Sequence, residues 1–136
     1  MKRTSTANWK GSGKEGKGTV SVPSGVFTNQ HYTSGSRFEN DEGTNPEELI
    51  AAAHAGCYSM KLSYILNAAG FVPDNIDTKC TITIESGTIT DSHLETTATV
   101  PGIDANKFAE CSEEAKKTCP VSKALNMNIT LDAKLV

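Results

Sequence analysis

Four cysteines, Cys57, Cys80, Cys111 and Cys119, carry most of the chemistry this 136-residue chain could do. A thiol reacts as its thiolate, and at an ordinary pKa of about 8.5 only a few per cent is ionised near neutral pH. A reactive cysteine therefore needs a neighbour that favours the anion. Cys57 sits in the stretch NPEELIAAAHAGCYSM (45–60), where Glu47, Glu48 and His54 stand out as titratable groups in a small, apolar run. Three readings are open: a buried small hydrophobe, a metal ligand or a nucleophile. The adjacent Gly56 costs roughly 1 kcal/mol in a helix interior relative to alanine, which suggests that something approaches the backbone closely there. As a nucleophile, Cys57 lies too far along its helix to use the N-terminal dipole and needs a cation. Arg37, His54 three residues before it and Lys61 four residues after it are the candidates. Arg37 suits best, because a guanidinium is always charged and can be held in a planar fork by a carboxylate. Glu47 could be that carboxylate. His54 reads more readily as a hydrogen-bonded structural histidine.

Cys119 immediately precedes Pro120, at or near the N-cap of a short helix, where backbone N–H groups favour a thiolate. Cys80 falls on the apolar face of a strand and Cys111 on that of a helix, so both are expected in the core. A metal site would draw on His54 and Cys57 with Cys119 and His93, but no paired C-x-x-C or H-x-x-x-H knuckle is present. The missing C-x-x-C also disfavours a thioredoxin-like disulfide reductase.

The elements that must position these residues read as an α+β chain. Gly18–Val22, the Pro23-Ser24-Gly25 turn and Val26–Phe27 predict a hairpin, and Ser36–Glu39 a further strand end. Asn45 suits an N-cap and Pro46 the first helical position, with Glu47 and Glu48 facing the positive end of the dipole. Leu49, Ile50, Ala53, Met60, Leu62, Ile65 and Leu66 then recur at near-helical spacing toward Gly70. That is a central helix of about 24 residues, roughly 36 Å long. From Asn75 to Val100 the period becomes two, with a turn near Ser86-Gly87. Asp104 can cap a helix over about 105–117, with Phe108, Cys111 and Ala115 inward. Thr118-Cys119-Pro120 opens a short helix through Leu125, and Ile129, Leu131, Ala133 and Leu135 alternate as a last strand.

The length fits a single domain over 1–136. Apolar content of 37% and aromatic content of 6% are low, which suggests that some apolar surface is buried between subunits. A formal net charge of −3, with no long basic run, argues against nucleic acid or an anionic membrane as partner. No apolar run reaches transmembrane length. The opening MKRTSTANWKGSGKEGKG lacks an apolar h-region, so a cytoplasmic protein with reduced thiols is expected.

Taken together, GKGTVS, RFEN…GTNPEELIAAAHAGCYSM, VPGID and CPVSKAL resemble the OsmC/Ohr family (osmotically inducible protein C and organic hydroperoxide resistance proteins), on its OsmC side. The resemblance spans about Trp9 to Leu135. It implies an OsmC-like fold, with antiparallel sheets wrapped around long central helices in an intertwined homodimer. It further implies a thiol peroxidase of oxidative stress defence that reduces alkyl or lipid hydroperoxides through a Cys57 sulfenic acid and a Cys57–Cys119 disulfide. Cys57 matches the peroxidatic cysteine and Cys119 the resolving one. Arg37 matches the arginine that activates the thiolate, and Glu47 the glutamate that orients this arginine. No cofactor or metal is implied. The reductant would be an external dithiol, of which a lipoyl protein is one candidate. The connection near Ser86–Ser92 looks shorter than in many members, and Cys80 and Cys111 match no functional position. The alternative is a noncatalytic ligand-binding or metal-binding dimer.

Glu47 and Cys57 are ten residues apart, about 15 Å along a straight helix. Either the helix breaks between them, or the Glu47 that serves a given Cys57 belongs to the other subunit, which puts active sites at the dimer interface.

Overall fold

The computed structural model describes all residues, Met1–Val136. The chain is α+β and divides into two compact units, Met1–Leu49 and Ile50–Val136.

The first unit is built on an antiparallel meander of β1 (Thr6–Lys10), β2 (Lys17–Ser21) and β3 (Gln30–Thr33). Gly18 of β2 is required where it stands, since an added Cβ would collide with the Tyr32 ring. That ring also packs 5.3 Å from Trp9, centroid to centroid. The hairpin expected around Pro23–Gly25 closes later than its sequence suggests. Val26–Phe27 is not a strand, and the return strand starts at Gln30. Gly25 (φ +75°) and Asn29 (φ +51°) are left-handed on either side of it, which interrupts extended backbone. Ser36–Glu39 is likewise not a strand end. Ser34–Phe38 forms the short helix α1, nucleated by a reciprocal cap in which the Ser36 N–H donates to Thr33 Oγ1 (3.0 Å) and the Thr33 N–H to Ser36 Oγ (2.8 Å).

Helix α2 runs unbroken from Pro46 to Ala68. Asn45 Oδ1 accepts the Glu48 N–H at 2.8 Å, as expected of an N-cap. At the other end Gly70, at φ +90°, closes a Schellman motif: Phe71 N–H to Leu66 O and Gly70 N–H to Asn67 O.

The second unit sets α2 against β4 (Asn75–Glu85), β5 (Thr88–Thr99) and β6 (Asn128–Leu135). Ser86-Gly87, both at positive φ, form the two-residue turn between β4 and β5. The sheet is mixed rather than wholly antiparallel. β6 lies parallel to β5 because α3 (Ala105–Thr118) and α4 (Pro120–Ala124) carry the chain back before it pairs. Asp104 caps α3 as expected, accepting the Lys107 N–H at 2.9 Å. Tyr58, Leu62 and Leu66 follow His54 at four-residue steps on α2, and all four are fully buried. The three apolar ones meet Leu94, Ala98, Phe108, Cys111, Ala115 and Cys119 in one core. The other side of α2 is apolar as well but exposed: Met60 is 62% and Tyr64 68% accessible.

Candidate functional site

In the first unit, Arg37 and Glu47 form the pair expected from the sequence. Arg37 Nε donates to Glu47 Oε1 (3.0 Å) and Oε2 (3.1 Å), and Nη2 donates to Oε1 (2.6 Å). Local structure sets this up. α1 carries Arg37 in its last turn, and the loop to α2 is stitched back by Ser36 Oγ to Thr44 O (2.9 Å), Asn45 Nδ2 to Ser36 O (3.1 Å) and Thr44 N–H to His31 O (2.9 Å). Glu47, in the first turn of α2, is therefore delivered to the guanidinium. The hydrogen bonds that Arg37 donates to Glu47 hold its pKa above the ordinary value, which fixes the cation. Glu47 is buried, whereas the Arg37 side chain remains 36% accessible. An apolar cleft of about 220 Å³ lined by Val20, Tyr32, Pro46 and Leu49 opens in the same unit.

In the second unit, Cys57 and Cys119 come together. Both are free thiols; Cys57 is half-buried and Cys119 fully sealed. Burial pushes the Cys57 thiol up, and the adjoining Cys119 thiol pushes it further. The backbone N–H of Val121 and the charge of Lys61 oppose this without overcoming it. The groups around Cys57 in its own unit thus favour the thiol over the thiolate. Cys119 takes the N-cap position of α4 but makes no side-chain cap bond. The close approach expected at Gly56 is not made by this chain, since an added Cβ there would meet nothing within 4 Å.

His54 does not supply the cation. It is fully buried, with Nδ1 2.7 Å from Ser92 Oγ and Nε2 2.8 Å from Ser122 Oγ. Burial lowers its pKa, so it is neutral at neutral pH. Its two ring nitrogens are thereby taken, and His93, the next residue after Ser92 on β5, faces the other way, with Nδ1 2.6 Å from Thr130 Oγ1. The His54, Cys57, Cys119 and His93 metal set is thus not assembled, and no group of three or more His, Cys, Asp or Glu gathers as a metal site. Cys80 packs half-buried against the core, with Sγ 3.3 Å from Ser92 Oγ, and Cys111 is buried in it. Ser92 and Ser122 are the polar residues that sequence reasoning missed. Ser92 alternates with the buried Leu94, Thr96 and Ala98 on the inward face of β5, and Ser122 is the buried residue of α4. No helix is long and apolar enough to cross a membrane.

The family model for OsmC-like proteins matches residues 39–134. The chain is 50% identical over 133 residues to Peroxiredoxin OsmC of Escherichia coli, covering 95% of this chain and 93% of that one. It is 31% identical over 134 residues to Organic hydroperoxide resistance protein-like 2 of Staphylococcus epidermidis, covering 92% and 89%. The crystal structure of an OsmC-like protein from Mycoplasma pneumoniae superposes with a TM-score of 0.77 at 14% identity, covering 100% and 98% of the two chains. By sequence over nearly its whole length, and by fold, this chain belongs to the OsmC-like family.

Proposed function

We propose that the chain is a cysteine-based peroxidase that reduces organic hydroperoxides, working as a homodimer of single OsmC-like domains in oxidative stress defence. The observation that carries this reading is the pairing of a half-buried Cys57 with a sealed Cys119 62 residues along the chain, in a relative of a named peroxiredoxin. In the first step the Cys57 thiolate attacks the distal oxygen of R–O–OH. The O–O bond breaks, sulfur is oxidised to Cys57–S–OH, and the alkoxide takes a proton to leave as the alcohol. In the second step the Cys119 sulfur attacks the sulfenic sulfur. The S–O bond breaks, and hydroxide leaves as water with the proton that Cys119 gives up. An external dithiol restores both thiols by exchange, itself becoming a disulfide.

Arg37 is the activating cation in this reading, because the groups around Cys57 in its own unit leave the thiol raised. Held by Glu47, it stabilises the thiolate and the charge that builds on the departing oxygen. α2 is unbroken, so ten residues of helix rise put Glu47 and Cys57 of one chain about 15 Å apart along the axis. The Arg37–Glu47 pair serving each Cys57 is accordingly assigned to the other subunit. The exposed Met60 and Tyr64 and the open space over Gly56 support a second helix packing on this face. The apolar cleft beside Pro46 and Leu49 favours an organic tail over hydrogen peroxide. Thiol titration after one equivalent of peroxide tests the reading. Cumene hydroperoxide should consume two thiols rapidly and hydrogen peroxide much more slowly. Slow loss spread over all four cysteines would overturn it.

A further inference from the structure

His54 takes no part in the steps above, yet it has the densest side-chain polar contacts in the second unit. It stands three residues before Cys57 on α2. Nε2 reaches Ser122 on α4, three residues after Cys119, and Nδ1 reaches Ser92 on β5. Ser92 in turn is 3.3 Å from the Cys80 sulfur. His54, Ser92 and Ser122 are all buried. A buried polar group costs stability unless each hydrogen finds an acceptor, and proton counting selects one arrangement. A neutral imidazole donates once and accepts once. If Nδ1–H donates to Ser92 Oγ, the Ser122 hydroxyl donates to Nε2 and the Ser92 hydroxyl is free to donate to the Cys80 sulfur. Only the weak Cys80 S–H is then left over. The other tautomer would leave the Ser122 hydroxyl hydrogen without an acceptor in the cluster.

On the cysteine side, the Cys119 thiol at the N-cap of α4 and the Val121 N–H within it both face the Cys57 sulfur. Both contacts change when that sulfur is oxidised. The His54–Ser122 bond does not involve sulfur and is unaffected by its redox state. On the peroxidase reading given above, we infer that His54 is a positioning residue for disulfide formation. Its Nε2 anchors α4 through Ser122, so that Cys119 stays within reach while Cys57 is a sulfenic acid. The step it serves joins Cys119 sulfur to Cys57 sulfur as the S–O bond breaks and water leaves. Oxidation of Cys57 to sulfinic acid by a second peroxide is the competing fate.

The test uses the full-length protein, cumene hydroperoxide and single turnover. Two quantities are followed: the rate of Cys57 oxidation, and the ratio of disulfide to sulfinic acid by intact mass across a peroxide series. An asparagine amide at position 54 reaches the Nδ1 position, and a glutamine amide reaches the Nε2 position. His54→Asn should therefore lose the α4 anchor, slowing disulfide formation about tenfold, the weight of one buried hydrogen bond. Sulfinic acid should then appear at about one tenth of the peroxide concentration. Ser122→Ala, which removes a single hydroxyl and leaves His54 in place, should do the same. His54→Gln should recover most of the disulfide rate, and Cys57 oxidation should stay within about threefold in all three. A simple packing role predicts that Asn and Gln variants fail alike, in step with their melting temperatures. That result, or an unchanged ratio in Ser122→Ala, would overturn the inference. If the unmodified protein shows no fast two-thiol loss, the peroxidase reading itself fails and the inference falls with it.

Discussion

Replacing Glu47 with glutamine removes the charge that holds Arg37 while keeping the side chain's size. In the structure Arg37 donates two hydrogen bonds from Nε and one from Nη2 to the two carboxylate oxygens, the shortest at 2.6 Å. A glutamine offers one carbonyl oxygen, and its NH₂ group faces the guanidinium with the wrong polarity. At least one charge-assisted bond is lost, worth about 1.5–3 kcal/mol. If that energy serves to aim Arg37 at the reacting sulfur, the second-order rate constant for Cys57 oxidation falls about tenfold to a hundredfold. The stability cost is smaller. The Arg37 side chain is 36% accessible, and an ion pair with one wet partner contributes roughly 0–1 kcal/mol. Stopped-flow oxidation by cumene hydroperoxide and urea unfolding of the same preparation separate the two effects. A large rate loss with a small change in stability is expected. An unchanged rate, or a rate that falls only as far as the folded fraction, would refute the role given to Arg37 and Glu47.

The shared site predicts complementation: a heterodimer of a Cys57→Ser chain and a Glu47→Ala chain should regain one working site, about half the activity per dimer. No activity in that heterodimer would place all four residues in one chain's service. Acid should weaken the fold through His54. Burial lowers its pKa below the unfolded value of about 6.5. Its contribution is then present above that value and lost as pH falls through the folded pKa, because the unfolded chain takes up the proton first. Urea unfolding at pH 7.5 and pH 5 should show a smaller acid loss in His54→Gln; an equal loss in both proteins would assign the acid sensitivity to other groups.

What was legible in the sequence was mostly local. Asn45-Pro46-Glu47-Glu48 announces the start of α2 because each residue answers a need of the first turn: a cap, a fixed φ, a negative charge. Asp104 and the period-two run of β4 and β5 were readable for the same reason. The Arg37–Glu47 pair came from physical need, and the Cys57–Cys119 pair from the family resemblance alone. What was missed depends on distant partners or on very short segments. β1 (Thr-Ala-Asn-Trp-Lys) has no alternation to detect and is a strand because β2 pairs with it. The five residues of α1 are fixed by a cap between Thr33 and Ser36 too short to leave a periodic trace. The parallel pairing of β6 depends on the two helices that precede it. His54 could be judged structural from its surroundings, but its partners lie 38 and 68 residues away. Gly56 shows the converse case: the sequence asks for a close neighbour that the chain does not itself provide.

The most direct measurement is a peptide map of the protein after one equivalent of cumene hydroperoxide, with free thiols blocked before digestion. The account predicts one new linkage, Cys57 to Cys119, formed in step with thiol loss, while Cys80 and Cys111 remain as blocked thiols. Oxidation concentrated at Cys80 or Cys111, or a Cys57 that is oxidised without Cys119 joining it, would contradict the account.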